Sequence, residues 1–102
     1  MEKEELLKRT YQEIEDINKR IAELNDRIKD EKTDASREKT KSVIKKLEEI
    51  RDKIRSHYVK LDRTGGGETK NITKIEKNIY TDIRSFEDAF KNAGRIFSSM
   101  NR

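Results

Sequence analysis

The last third of the chain carries an apolar seam that constrains the fold more than any other feature of the sequence. Its members follow one another from Ile72 to Met100 at steps of three or four residues. This spacing places them on one face of an α-helix for about eight turns, with polar residues on the opposite face. Such a helix is stable only when its apolar face is covered, so the seam predicts a helical bundle or a bound helical partner. The seam consists of Ile72, Ile75, Ile79, Ile83, Phe86, Phe90, Ala93, Phe97 and Met100.

Two shorter seams precede it. The first follows Leu7 and has strict heptad spacing; the second runs from Val43 to Leu61 in a different register. Continuing the first register would place core positions at 42, 45 and 49, which hold a serine, a lysine and a glutamate. A single continuous coiled-coil stripe from 7 to 61 is therefore not encoded. The first seam contains Ile14, Ile17, Ile21, Leu24 and Ile28, and the second contains Val43, Leu47, Ile50, Ile54, Tyr58 and Leu61.

The polar stretch between these two seams has two interpretations. In the first, the chain turns at 32–36, where Thr33, Asp34 or Ser36 would cap a new helix. In the second, one helix of about 90 Å runs through the polar region. Residues 1–31 carry seven basic and ten acidic side chains and residues 32–63 carry eleven and six, so the two segments have opposite net charge. We favour the turn, because opposite charges suit lateral pairing of two helices.

A second break is predicted at 64–67, where Thr64 is followed by Gly65, Gly66 and Gly67. Each glycine costs a helix roughly 0.8–1 kcal/mol relative to alanine and permits a positive φ. Helices are accordingly expected near 4–32, 36–62 and 69–100 in one domain spanning 1–102. The predicted fold class is all-α, with long amphipathic helices in an antiparallel helical hairpin or a coiled-coil-like three-helix bundle.

Composition argues against catalysis. The chain is 30 % hydrophobic and 45 % charged and has no cysteine, so it offers no thiolate nucleophile and no cysteine metal site. His57 has no second ligand at metal spacing, and we interpret it as an edge residue of its seam. The glycine run lacks the Gly-Lys-Ser/Thr ending of a phosphate loop, and Gly94 is interpreted as a point of close helix approach or fraying. We expect no enzymatic activity and no cofactor or metal.

Nucleic acid and membrane are also disfavoured as partners. A basic run at Arg37, Lys39 and Lys41, continued by Lys45 and Lys46, is interleaved with acids, as on a solvated helix face. The chain has no apolar run long enough to span a membrane and no apolar segment at its start resembling a signal peptide. We expect a cytoplasmic protein, with export independent of a cleaved signal left open.

Protein–protein contact remains as the expected function. The aromatic half of the last seam has the large side chains at i, i+4 spacing that anchor a helix in a groove. It would pack internally on the Val43–Leu61 seam through the glycine turn, leaving the first seam to be covered by a partner. The predicted partner interface comprises Ile14, Ile17, Ile21, Leu24, Ile28, Ile83, Phe86, Phe90 and Phe97.

A small, cysteine-free, charged helical chain with a glycine turn between long amphipathic helices resembles the WXG-like proteins of Gram-positive type VII secretion. More narrowly, it resembles the small helical partners encoded beside LXG-domain toxins. That resemblance implies a chaperone or targeting factor for the helical N-terminal domain of a toxin, acting with a second small helical protein or forming a homo-oligomer. The Trp-x-Gly turn of the family is replaced here by Gly65–Gly67. Its Tyr-x-x-x-Asp/Glu export motif has a match at Tyr58 and Asp62 and another at Tyr11 and Glu15, both away from the C-terminal position usual in the family.

Two other functions are compatible with the same residues. A self-assembling coiled-coil scaffold would cover the seams with further copies of the chain and would sediment as a stable homo-oligomer. A basic nucleic-acid accessory protein would show salt-dependent DNA binding that charge reversal at Lys45 and Lys46 weakens.

Overall fold

Three helices account for most of the part of the chain that the structure describes. The structure is a computed structural model that describes residues 2–100, with side chains described for residues 2–95. Helix α1 spans Lys3–Ile28, α2 spans Asp34–Arg63 and α3 spans Thr69–Met100. They form an antiparallel bundle of 54 × 18 × 16 Å. The all-α fold class predicted from the three seams is confirmed.

Helix α2 organises the bundle, because α1 and α3 both pack along its length. Helices α1 and α3 run in the same direction and approach each other much less closely. The start of α1, the end of α2 and the start of α3 meet at one end, where Leu6, Leu61 and Ile72 share one apolar cluster. The end of α1, the start of α2 and the end of α3 lie at the opposite end. Within residues 2–95, the three seams therefore pack against one another inside the bundle.

The buried core follows the predicted seams with two local changes: in α1, Leu6 is buried and the seam residue Leu7 is half-buried, and a similar change occurs in α2. In α2, Ile44 is only 4 % exposed, whereas its seam neighbour Val43 is half-buried. The prediction of Val43 as the first core position is corrected accordingly, because the α2 core stripe begins at Thr40 and continues through Ile44 and Leu47. The buried apolar residues are Leu6, Ile14, Ile17, Ile21, Leu24, Ile44, Leu47, Ile54, Leu61, Ile72, Ile75, Ile79, Phe86 and Ala93.

Two threonines occupy core positions where the seams have no apolar residue. Thr10 is 1 % exposed and Thr40 is fully buried. The Thr10 hydroxyl donates to the Leu6 carbonyl at 2.7 Å, and the Thr40 hydroxyl donates to the Ser36 carbonyl at 3.1 Å. The Thr10 hydroxyl is satisfied within its own helix, and the Thr40 hydroxyl shares its proton between the Ser36 carbonyl and the Glu31 carboxylate. Each methyl group can therefore pack in the core without leaving a buried polar atom unpaired.

The chain turns between α1 and α2, so the two-helix interpretation holds and α1 ends at Ile28 rather than near 32. Thr33 adopts an extended conformation, with φ −120° and ψ 153°, and caps α2. Its hydroxyl accepts the Ser36 backbone N–H at 3.1 Å. Among the three candidate caps, the structure uses Thr33 because its oxygen reaches the third amide of the new helix.

The carboxylate of Glu31 holds this turn, here named the 29–33 loop, against the first turns of α2. It accepts the Ser36 hydroxyl and, at 3.3 Å, the Thr40 hydroxyl. Arg27 of α1 lies 3.4 Å from the same carboxylate. These donors favour the ionised form and hold the pKa of Glu31 below its ordinary value, the Ser36 hydrogen bond having the largest effect.

The second connection, the 64–68 loop, is simpler. The Glu68 carboxylate accepts the Gly65 N–H at 3.2 Å, and the Thr64 hydroxyl donates to the Lys60 carbonyl at 2.7 Å. None of the described glycines has a positive φ, so the predicted break occurs without the left-handed conformation that glycine permits. A methyl group placed on Gly66 or Gly67 would contact nothing within 4 Å.

Gly94 lies in α3 and is exposed. A methyl group built there would also meet nothing within 4 Å. The interpretation of Gly94 as a point of close helix approach is therefore corrected: no neighbouring helix comes near its α-carbon.

Candidate protein-interaction surfaces

The residues predicted as a partner interface lie for the most part inside the bundle. Of the predicted set, Ile14, Ile17, Ile21, Leu24 and Phe86 are at most 7 % exposed. Ile28, Ile83 and Phe90 are half-buried against the same core, and the side chain of Phe97 lies outside the described residues. The expectation that the first seam awaits a partner is corrected, because α2 lies between α1 and α3 and covers both seams at once.

Helices α1 and α3 are the pair that packs least closely, and the surface between them is here named the α1–α3 face. Because these helices pack on α2 more closely than on each other, their facing edges are only partly buried. The residues of α3 on this face are three, four and three positions apart in the sequence, and those of α1 are three and four positions apart. Each group therefore lies along one side of its helix. The face is lined by Tyr80, Ile83, Glu87 and Phe90 of α3 and by Glu13, Asp16 and Arg20 of α1.

Arg20 bridges this face. Its Nη1 donates to Glu87 Oε1 at 2.8 Å, and its guanidinium carbon lies 5.2 Å from the centre of the Phe90 ring. Its Nη2 also lies 3.1 Å from Asp16 Oδ2, one turn earlier in α1. A guanidinium over an aromatic face is attracted by the ring quadrupole, so Arg20 partly shields Phe90 while its own charge stays paired.

The electrostatics of Arg20 match this geometry. The hydrogen bond to Glu87 is the strongest of the influences that raise the pKa of Arg20, and the charges of Glu87, Asp16 and Glu13 add to it. Partial burial acts in the opposite direction. The guanidinium is therefore permanently charged and surrounded by three carboxylates, so the rim of the α1–α3 face is acidic around one fixed cation.

Tyr80 is the aromatic residue most accessible on this face, with 46 % of its surface exposed. It lies one heptad before Glu87, and Ile83 lies between them on the same stripe. Farther along α3, Phe86 and Phe90 stack with ring centres 6.1 Å apart and planes inclined by 15°. An exposed tyrosine on the same side of the helix as the half-buried Ile83 and Phe90 suits an anchor for a second protein.

The α1–α2 edge carries a different aromatic pair. Tyr11 is 53 % exposed and contacts the half-buried Tyr58 with ring centres 6.3 Å apart. A hydrogen bond to the Glu15 carboxylate, together with its charge, raises the pKa of Tyr11. Both predicted export motifs therefore lie along this edge, and Asp62 is exposed, with its backbone carbonyl accepting the Lys3 ammonium at 3.0 Å.

His57 connects α2 to α3. Its Nε2 lies 3.1 Å from Asp82 Oδ2, and the two side chains are 28 % and 17 % exposed. The pair is close enough for an ion pair when the imidazole is protonated, although Oδ2 receives no aligned hydrogen bond. Among the described side chains no group of three His, Asp or Glu residues could hold a metal ion. This contact is an inter-helix link at the edge of the seam.

Comparison with known proteins gives no family assignment. No protein-family model matches the chain, and no curated protein or solved structure matches it either. Within residues 2–100, no helix contains an apolar stretch of the length that crossing a bilayer requires.

The aromatic half of the last helix, predicted as an anchor for a partner, begins at Tyr80, whereas Arg20 was not predicted as a member of any surface. A signal was present for Tyr80, because its heptad spacing to Glu87 places it beside the seam rather than in it. Arg20 had no comparable signal: its role depends on how far α1 stands from α3, and the heptad pattern does not encode that distance.

Proposed function

We propose that this chain is a non-enzymatic helical adaptor or chaperone that binds the helical N-terminal domain of a secreted toxin. In this role it helps to target the toxin to a type VII secretion system. The resemblance to the small partners of LXG toxins supports the identity of the partner. The single structural observation that supports a binding role is the α1–α3 face, where Ile83 and Phe90 are half-buried and Tyr80 is exposed.

The α1–α3 face has the chemistry of a groove for a helix. Two helices running in the same direction form its walls, and partly exposed Ile83 and Phe90 line it together with Tyr80. A helix of the partner laid along this face would pack against α1 and α3 and give a four-helix arrangement, which is a common way to cover such a surface. Charged Arg20 and Glu87 at the rim would orient that helix, and the apolar and aromatic groups would supply most of the affinity.

Tyr80 is the position at which to test this proposal. Phe86 is fully buried, so replacing it would unfold the bundle rather than probe a surface. Tyr80→Ala removes an exposed ring and leaves the core intact. Tyr11→Ala is a matched control, because Tyr11 is similarly exposed but lies on the α1–α2 edge. Both variants should keep the helical circular dichroism of the wild type.

The measurement is the affinity for the purified N-terminal domain of an LXG toxin encoded beside this chain. Truncating an aromatic anchor at an interface typically costs 1–2 kcal/mol or more, so Tyr80→Ala should weaken binding about tenfold. Tyr11→Ala should change it less than about twofold. Equal affinities for wild type and Tyr80→Ala would contradict the proposed face, and absence of binding by the wild type would contradict the toxin assignment.

Sedimentation of the isolated chain separates this proposal from self-assembly. A monomer that forms a complex with the toxin domain supports the adaptor. A stable homo-oligomer that dissociates in Tyr80→Ala would instead show that a second copy covers the α1–α3 face, as expected of a scaffold.

A further inference from the structure

A row of lysines runs the length of α2 on its outer surface. Lys39, Lys46, Lys53 and Lys60 are separated by seven residues each, and all four are exposed. Seven residues of helix rise about 10.5 Å, so the four ammonium groups form a nearly straight line about 32 Å long. Here we name these four residues the lysine stripe.

The lysine stripe is unpaired. Among the described residues, no hydrogen bond or ion pair involves the ammonium group of any of its four members, although ion pairs are frequent elsewhere on the bundle. The neighbouring acid Glu38 lies 3.7 Å from Lys41. Some other exposed basic residues, such as Arg9, Arg37 and Lys41, pair with acids on the same helix, whereas the four positive charges of this row lie along one line.

The stripe borders a groove between α2 and α3. Lys46 and Asn92 line one section of it together with the apolar Val43, Leu47, Ala89 and Ala93. Next to this section, Lys39 and Val43 line an adjoining depression with Glu38 and Ser42. The small side chains Ala89 and Ala93 leave room above the helix contact, and Val43 remains half-buried at the groove floor.

The α3 side of the groove carries no charge along its corresponding row. This row also repeats every seven residues and is exposed throughout: Asn71, Asn78, Ser85 and Asn92. In the section lined by Lys39 and Lys46, a ligand would therefore meet cations on one side, the neutral Asn92 on the other and apolar atoms beneath. Farther along, the contact between His57 and Asp82 joins the two helices. Lines of like charge beside an apolar strip are the pattern by which coiled-coil helices select partners of opposite charge.

We infer that this α2–α3 groove is a second docking surface, and that its ligand is an amphipathic helix of a partner protein with an acidic residue at every seventh position. The charge period of such a helix equals that of the lysine stripe, so each acid meets one lysine along the whole length. Phosphates of B-DNA follow a helical path around the duplex, so a straight row of about 32 Å would contact few of them. The apolar groove floor also suits a side chain better than a phosphate.

This inference goes beyond the proposed function, because it concerns a face that does not include Tyr80. The two can fail separately. Loss of toxin binding in Tyr80→Ala tests the α1–α3 face only, and substitution of the lysine stripe tests the α2–α3 groove only.

The probe is a synthetic helix of about 28 residues with an apolar heptad face and one flanking glutamate in each of four heptads. A second peptide has the same composition with the four glutamates distributed around the helix. Binding to the full-length chain is measured by isothermal titration calorimetry at low and moderate salt. We expect the patterned peptide to bind about tenfold more tightly, with the difference decreasing as salt increases.

Two variants with equal loss of charge isolate the stripe. The stripe variant replaces its four lysines by glutamine. The control replaces four exposed lysines on other surfaces by glutamine, at Lys8, Lys19, Lys77 and Lys91. Glutamine has a helix propensity close to that of lysine, so both variants should remain folded, as judged by thermal unfolding.

The stripe variant should bind the patterned peptide about tenfold more weakly than the wild type, and the control less than about twofold. If both variants bound the patterned peptide more weakly than the wild type to the same extent, the loss would be explained by net charge alone, and the inference would be overturned. Tighter binding to a DNA duplex or to vesicles containing anionic lipid than to the patterned peptide would also overturn it, since either result would assign the stripe to phosphate groups.

Discussion

The two loops that connect the helices of the bundle are held in place by different interactions. The 29–33 loop has no glycine and is held by side chains: the Thr33 cap and the carboxylate of Glu31, which reaches Ser36 and Thr40 of the next helix. The 64–68 loop contains three glycines and is closed mainly by the carboxylate of Glu68 at Gly65. One connection is specified by hydrogen bonds in the folded state, and the other by residues that interrupt a helix.

This difference shows that a polar turn can be defined as sharply as a glycine turn while being harder to detect in a sequence. Consecutive glycines are easy to detect in a sequence because they disfavour a helix that would continue through them. Caps are less visible, because Ser, Thr, Asp and Glu also occur on exposed helix faces in a chain that is 45 % charged. The contrast predicts that substitutions in the 29–33 loop destabilise the protein, whereas substitutions of the glycines do not.

Replacement of Glu31 should have the largest effect of the changes considered. Glu31→Gln removes the charge that accepts two hydroxyls and pairs with Arg27, so the melting temperature should fall by several degrees at neutral pH. Because the pKa of Glu31 is lowered on folding, its stabilisation is complete above the ordinary value of 4.5. It decreases as the pH falls below that value and disappears once the pH lies under the folded-state pKa.

Thermal unfolding of wild type and Glu31→Gln between neutral and strongly acidic pH measures this dependence. The two melting temperatures should differ at neutral pH and converge under strongly acidic conditions. Glu23→Gln is the matched control, because Glu23 is exposed on α1 and none of the described ion pairs involves it. A Glu31→Gln difference no larger than that of Glu23→Gln would show that the carboxylate does not hold the loop.

Removal of the Thr33 cap should have a smaller effect. Thr33→Ala deletes the oxygen that accepts the Ser36 amide at 3.1 Å, and loss of such a cap typically costs about 1 kcal/mol of unfolding free energy. Thr33→Ser retains the oxygen and should be close to wild type. Urea denaturation of the three proteins measures the difference, and equal destabilisation by alanine and serine would assign the effect to the lost methyl group instead.

The sequence was sufficient for the fold and insufficient for the surfaces, for identifiable reasons. The seams predicted three helices because apolar spacing reports directly which face of a helix is buried. They did not distinguish Val43 from Ile44, since adjacent apolar residues fit either register. Heptad spacing from Leu7 to Ile14 predicts Thr10 at a core position, whereas Thr40 was missed because no apolar residue precedes it in its seam. The openness of the α1–α3 face depends on inter-helix distance, which no single seam encodes. The lysine stripe, in contrast, was readable as a seven-residue repeat in the sequence.

Substitution of Gly66 should give the smallest effect and the opposite sign. Gly66 has no positive φ, and an added methyl group meets nothing within 4 Å. Gly66→Ala therefore introduces no strain and reduces the freedom of the unfolded chain, so it should stabilise the protein by roughly 0.4–1 kcal/mol.

Gly94→Ala provides the reference for that measurement, because Gly94 is equally uncrowded but lies within α3, where helix propensity adds about 0.8–1 kcal/mol. Urea denaturation of both variants compares loop and helix directly. Stabilisation at Gly94 together with clear destabilisation at Gly66 would mean that the 64–68 loop requires glycine conformations after all. The two connections would then differ less than their hydrogen bonds indicate, since both would depend on specific residues in the folded state.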